Sequence, residues 1–442
     1  MAVTSGDEVT NVTQTYIRDR AFVPVAYNVP MNEMAKVFRL PRAGITLRVP
    51  KIREMALSGV DTDLWSGIET DFLQIGDTDG QVQLNLDYDD YTLTKRGAFV
   101  TVTDKAHYSS LVDIADAVST ALSSLIARQM NSDAYTAAIT DGFQWMRTDG
   151  DNTAAQFEQW DLTASSAGTT TTTIDTALTS AVTDFYKLGQ ITFVDGPNAG
   201  KSAVVSAFTT ATDTLTHTAM PQAPGSGTTF HLCGVGNAEG SGPDDLAAAN
   251  SMTLTQVYRA LERCRRYGAG ALRGAGPSLS VSGIMRDNSA DVANGVGFIP
   301  TPIAHDLKLT VMKDGTATDA YFQTSEGFRR AVGGQLSRLG GVLFVEVNHQ
   351  LRKSVTAGTL AATTGAAWPT VFLFKDAFGA TVLKDNPGNR QGLSSVVKVP
   401  KKNDIAVLYD SIKLQAEMYV LNKYFAHNAL HGAVMWAGTA SA

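Results

Sequence analysis

The sequence predicts an α+β chain carrying a small inserted β domain, and three observations carry that prediction. Apolar residues recur at three- and four-residue steps from Ser110 to about Ile139, the period of a long amphipathic helix. Residues 148–245 change composition, being rich in Thr, Ser, Ala and Gly with no Arg. Strand-like runs flank both features, at 45–49 and 91–103 before them and from Pro277 onward after them. With 442 residues, 44% of them apolar, the chain has ample material for packed cores.

Charge and cysteine usage exclude several classes of function. The net charge of −7 disfavours tight nucleic-acid binding, which depends on Lys and Arg neutralising phosphates. Two cysteines, Cys233 and Cys264, support neither a disulfide framework nor a Cys-based zinc site. No apolar run approaches the roughly 20 residues of a membrane span, and the first residues show no secretory signal. The charge is also uneven. Residues 148–245 hold eleven Asp/Glu against Lys187 and Lys201, a balance of −9 that leaves the rest near +2.

Taken in order, the first 40 residues read as an extended arm broken by Pro24 and Pro30. Ile45–Val49 alternates as a half-buried strand, and the run 91–103 is β-branched and aromatic. Between them, 54–90 holds ten Asp/Glu and no Lys or Arg, yet includes Leu64, Trp65, Phe72 and Leu73. A two-stranded excursion cannot bury such residues by itself, so it needs another surface. The helix that follows has the capping-box pair Ser110 and Asp113, with Gly142 as its expected stop. Thr253 with Gln256 caps a second helix, with Leu254, Val257, Leu261 and Cys264 on its stripe. Arg263, Arg265 and Arg266 complement its dipole and Gly268 stops it. Strands are then expected at 278–285, 342–347, 370–374, 395–399 and 405–420.

No catalytic or cofactor constellation emerges. Asp195–Ser202 (DGPNAGKS) imitates a phosphate-binding loop, but only three residues separate Gly196 from Gly200-Lys201, and a β-branched run follows where a helix is required. It reads as a hairpin turn with Lys201 on its surface. His427 and His431 lack the Glu of a zinc-protease helix. The pairs Asp89-Asp90 and Asp244-Asp245 read as solvated turn acids. The serines have no nucleophile elbow around them. The expectation is no catalytic residue, no metal ligand and no cofactor.

The order of parts resembles the tailed-bacteriophage major capsid proteins of the HK97-like fold. The text is similar to the N4-like branch at LPRAGITLRVPKIRE, at the run from YTLTKRGAFVTVTDK to NSDAYTAAI, and at VFLFKDAFGATVLKD and LQAEMYVLNKYFAHNALHGAVMW. The resemblance covers roughly 36–140 and 250–436, and residues 148–245 depart from it.

It implies an N-terminal arm at 1–44, an extended hairpin loop at 45–105 and a peripheral-domain spine helix at 106–147. The inserted β-rich domain takes 148–245, and an axial domain with returning peripheral strands takes 246–442. It also implies self-assembly into hexamers and pentamers of an icosahedral shell that encloses double-stranded DNA without reading its sequence. Portal, scaffolding and decoration proteins are the implied partners, with no membrane. The implied location is the virion, and the host cytoplasm during assembly.

The inter-subunit contact candidates are Asp61, Trp65 and Phe72 of the acidic hairpin. Arg263, Arg265, Arg266, Lys398, Lys401 and Lys402 are candidates for the basic surface that receives it. The other readings are a tail tube or decoration protein, and a hydrolase with a β accessory domain.

Overall fold

A computed structural model describes residues 31–40, 46–52, 86–103, 114–146, 156–178, 183–235, 252–267, 295–313, 338–339, 342–347, 353–356, 359–362, 368–383, 393–398 and 412–438. The expected strand at 278–285, the cap at Ser110–Asp113 and most of the acidic excursion lie outside these residues.

A long helix spans Ile114–Ile139 and buries Leu122, Ile126, Met130, Ala134, Ala138 and Ile139 along one stripe. This stripe lies on a five-stranded sheet built around the long strand Ile412–Ala426. Thr94–Thr103 pairs antiparallel with residues 412–422 of that strand. Leu393–Lys398 and Phe378–Leu383 also pair antiparallel with it, at 415–420 and 422–426. Residues 31–40 are anchored here. Met31–Met34 forms a short helix with Met31 fully buried, and Lys36–Leu40 pairs parallel with Phe378–Leu383.

The helix stop differs from expectation in one detail. Asp141 takes the left-handed conformation (φ 51°) that ends the helix, and Phe143 N–H then donates to the Ala138 carbonyl at 2.8 Å. Gly142 contributes space instead, since a Cβ there would run into the Ala137 carbonyl.

A six-stranded sheet forms the second layer, in the order Arg338–Leu339, Val342–Val347, Gly295–Pro300, Trp368–Leu373, Gly432–Ala437 and Gln144–Met146. Every residue of Gly295–Pro300 and Gly432–Ala437 is buried, as expected for strands covered on both faces. The helix Leu254–Arg266 carries the capping box foreseen in the sequence, with Gln256 Oε1 accepting from Thr253 N–H at 2.8 Å. Its residues Val257, Ala260, Leu261 and Cys264 share a core with Ile303, Ala304 and Leu307 of the helix Thr301–Lys313.

Residues 156–235 form a seven-stranded sheet of their own. The two ends of its strand order are Gln156–Thr163 and Ser166–Thr169, which are consecutive in the chain. Ala164 N–H donates to Thr228 and Ser165 N–H to Ile174, so the sheet curls back on itself as a small barrel. Ile191, Phe193, Val205, Phe208, Leu215, Phe230 and Leu232 fill its interior. Each Phe contributes about 1.5–3 kcal/mol by its burial. The barrel is not an appendage, because Val204 and Cys233 belong to the same buried cluster as Phe143 and Trp145 of the body.

Candidate assembly junction

Among the described residues, two ion-paired contacts join the barrel to the rest of the chain, and the turn that imitates a phosphate loop makes the first. Gln190–Phe193 and Ser202–Thr209 pair antiparallel, joined through a 3₁₀ turn at Gly196–Asn198. Gly196 and Gly200 both have left-handed φ values (69° and 70°), so the segment is a hairpin turn and opens no helix. Lys201 corrects the expectation of a surface lysine. Its ammonium lies 2.7 Å from Asp89 Oδ2, with side-chain exposures of 16% and 10%, and donates to the Tyr91 hydroxyl at 2.9 Å.

Asp89 and Tyr91 belong to the ribbon Thr46–Ile52/Leu86–Thr92, the base of the acidic excursion. Tyr91 stacks on Phe425 with ring centroids 3.7 Å apart. Burial, with the Asp89 carboxylate as a lesser cause, pushes the Tyr91 hydroxyl well above its usual pKa, so it stays protonated. The opposite face of the ribbon is exposed, where Arg48 makes a bidentate pair with Asp90 (2.8 and 2.9 Å) and lies over the Tyr88 ring. The reading of Asp89-Asp90 as solvated turn acids is therefore corrected. Both are strand residues, one on each face, and each has a cation.

A cleft of about 390 Å³ opens beside this contact, lined among others by Tyr91, Asp133, Asp141, Lys201, Lys423 and Phe425. Asp141 Oδ1 accepts from Val204 N–H at 3.0 Å, tying the end of the helix Ile114–Ile139 to the barrel. Burial raises the Asp141 pKa, and the bonds from Val204 and Thr218 oppose that rise.

The second contact centres on Arg263. Its guanidinium is 2.7 Å from Glu158 Oε1, with side-chain exposures of 5% and 4%, and it donates to the Trp145 carbonyl at 3.3 Å. The same guanidinium lies over the Trp160 ring, and Arg259 reaches Glu158 at 3.6 Å. Burial lowers the Arg263 pKa while Glu158 supports the charged form. His231 stands beside this pair, accepting at Nδ1 from Asp161 N–H at 3.1 Å and bonding Tyr267 through Nε2. Burial, reinforced by Arg263 and Arg266, drives the His231 pKa down to about 3, so the ring is neutral.

The basic candidates separate accordingly. Arg263 is consumed inside the chain and leaves the exposed set, whereas Arg265 and Arg266 are exposed. Lys398 ends the strand Leu393–Lys398, opposite Gln415. Asp61, Trp65, Phe72, Lys401 and Lys402 lie outside the described residues. His427 packs against the Phe38 ring, and His431 bonds the Tyr267 and Lys375 carbonyls, both at 3.2 Å. Among the described residues, no three His, Cys, Asp or Glu side chains converge as a metal site, and no helix is long and apolar enough to cross a membrane. Cys233 and Cys264 are buried free thiols, and burial pushes Cys264 up to about 12.

Sequence reasoning missed Asp89, Tyr91, Glu158 and His231 as contact residues. The alternation of Tyr88, Asp89, Asp90 and Tyr91 was a usable signal for the first two. Nothing local distinguished the others.

No established protein family and no curated protein matches the chain in sequence. Solved structures do match its fold. The head protein of Helicobacter pylori bacteriophage KHP40 is similar with a TM-score of 0.51 and 6% identity, over 96% of this chain and 95% of that one. The acid-stable capsid of Helicobacter pylori bacteriophage KHP30 is similar with a TM-score of 0.50 and 7% identity, over 99% of both chains. The chain therefore has a capsid-like α+β fold.

Proposed function

We propose that this chain is the major capsid protein of a tailed bacteriophage, assembling with itself into the hexamers and pentamers of an icosahedral head around double-stranded DNA. The observation that carries the proposal is the fold similarity to phage head and capsid chains over 96–99% of its length. In detail it is an HK97-like chain of the N4-like branch, acting in the virion as a structural protein without catalytic activity. Portal, scaffolding and decoration proteins are its further partners. It is assembled in the host cytoplasm, and its barrel faces outward, because a −9 balance is poorly suited to the face turned to DNA.

The acidic hairpin is the proposed inter-subunit element. Its ribbon base is held by its own chain, while Trp65 and Phe72 beyond it need an apolar partner and Asp61 with its neighbours a basic one. Arg265 and Arg266, with Lys398, Lys401 and Lys402, are the proposed receiving charges on a second copy. Electron microscopy of the purified chain tests this reading. Closed shells support it, open tubes favour a tail-tube protein, and a chain that never assembles with itself refutes it.

A further inference from the structure

We propose that the turn Gly196–Lys201 is an intramolecular latch, through which the inserted barrel fixes the base of the acidic hairpin against the body of its own chain. The latch is a property of the single chain and stands whether or not the chain builds shells.

Lys201 is presented by a rigid turn. Asn198 is buried, donating from Nδ2 to the Gln222 carbonyl at 2.7 Å and accepting from Gln222 N–H at 3.3 Å. Lys201 N–H donates to the Asn198 carbonyl and its own carbonyl accepts from Phe193. On the other side, Ala429 N–H donates to the Gly200 carbonyl at 2.9 Å. A Cβ at Gly200 would press on the Asn428 side-chain oxygen, and its φ lies in the left-handed region that favours glycine. The turn is thus held by bonds to the barrel and to the segment 428–431, with Lys201 projecting to the ribbon.

What it grips is a narrow element. A two-stranded ribbon is marginally stable alone, and one face of this one is exposed. Its inner face is held by Tyr91 stacking on Phe425 and by Asp89 and Tyr91 meeting Lys201. Removing the ammonium leaves a carboxylate in a part-buried site without that cation, which favours the released position of the ribbon. The glycines and the lysine that imitate a nucleotide loop are accounted for by this docking geometry.

Hydrogen exchange read by mass spectrometry on the unassembled full-length chain tests the latch. Lys201→Ala should speed exchange in the ribbon peptides 46–52 and 86–92 by about tenfold to a hundredfold, leaving the barrel strands 190–193 and 229–235 unchanged. Lys201→Arg should retain most of the protection, and Lys187→Ala, on the same barrel, should change neither. Unchanged ribbon exchange in Lys201→Ala, or equal loosening of ribbon and barrel, would overturn the proposal. Should Lys201→Ala fail to fold, Asp89→Asn is judged on the same peptides by the same two outcomes.

Discussion

Removing Glu158 probes how firmly the inserted barrel belongs to the body. Glu158 lies on the barrel and Arg263 on the helix Leu254–Arg266, 2.7 Å apart and almost wholly enclosed. Two charges in such a place are held by each other, and breaking one partner of a buried pair costs about 3–5 kcal/mol. Other groups near Arg263 replace little of the loss, since the Trp145 carbonyl is a neutral acceptor and the Trp160 ring a weak one. Glu158→Ala should therefore remove about 3–5 kcal/mol from a total that is about 5–15 kcal/mol for ordinary domains. Urea unfolding followed by tryptophan fluorescence reads the change, because Trp145 and Trp160 flank the pair. The double variant Glu158→Met/Arg263→Met should recover most of it, since no lone charge remains. A loss below about 1 kcal/mol for Glu158→Ala, the size expected of an exposed pair, would refute the reasoning.

Other expectations follow from the same contacts. Replacing 148–245 by a short Gly/Ser linker should yield poorly folded chains, because it strips Glu158 from Arg263 and Lys201 from Asp89. Soluble, cooperatively folding deletion chains in a melting experiment would show the barrel to be dispensable. His231 is held neutral, so its contribution is complete above pH 6.5 and is lost as pH falls toward about 3, by about 1.4 kcal/mol per pH unit over that window. His231→Gln should flatten that slope in acid-denaturation curves, and an unchanged slope contradicts the assignment. Asp141, with its raised pKa, acts in the opposite direction, losing stability as pH rises. In assembly assays Trp65→Ala should impair shell formation more than Asp61→Asn. Burying a large aromatic contributes about 1.5–3 kcal/mol against about 0–1 for a rim ion pair. Equal defects would argue against apolar docking.

Much of this architecture was legible because periodicity reports burial directly. The stripe from Leu122 to Ile139, the capped helix beginning at Thr253 and the strand Val342–Val347 each appear where their apolar spacing puts them. The sheet within 156–235, which has its own filled interior, lies in the stretch whose composition changes. What could not be read was docking between distant segments. Lys201 meets Asp89 across 112 positions of chain, and Glu158 meets Arg263 across 105, with no local pattern to announce either. The same residues carry another plausible local reading, a solvated acid or a dipole-complementing arginine, and tertiary contact overrides it. Asp141 shows the effect on a small scale, taking the left-handed turn one residue before Gly142, the stop expected from the sequence.

The most direct test of the capsid reading is cryo-electron microscopy of the full-length chain under assembly conditions. The expected result is closed icosahedral shells of hexamers and pentamers, with residues 54–85 of each copy lying on a neighbouring one and Trp65 buried between them. Open tubes, or shells in which Trp65 packs solely within its own subunit, would contradict it.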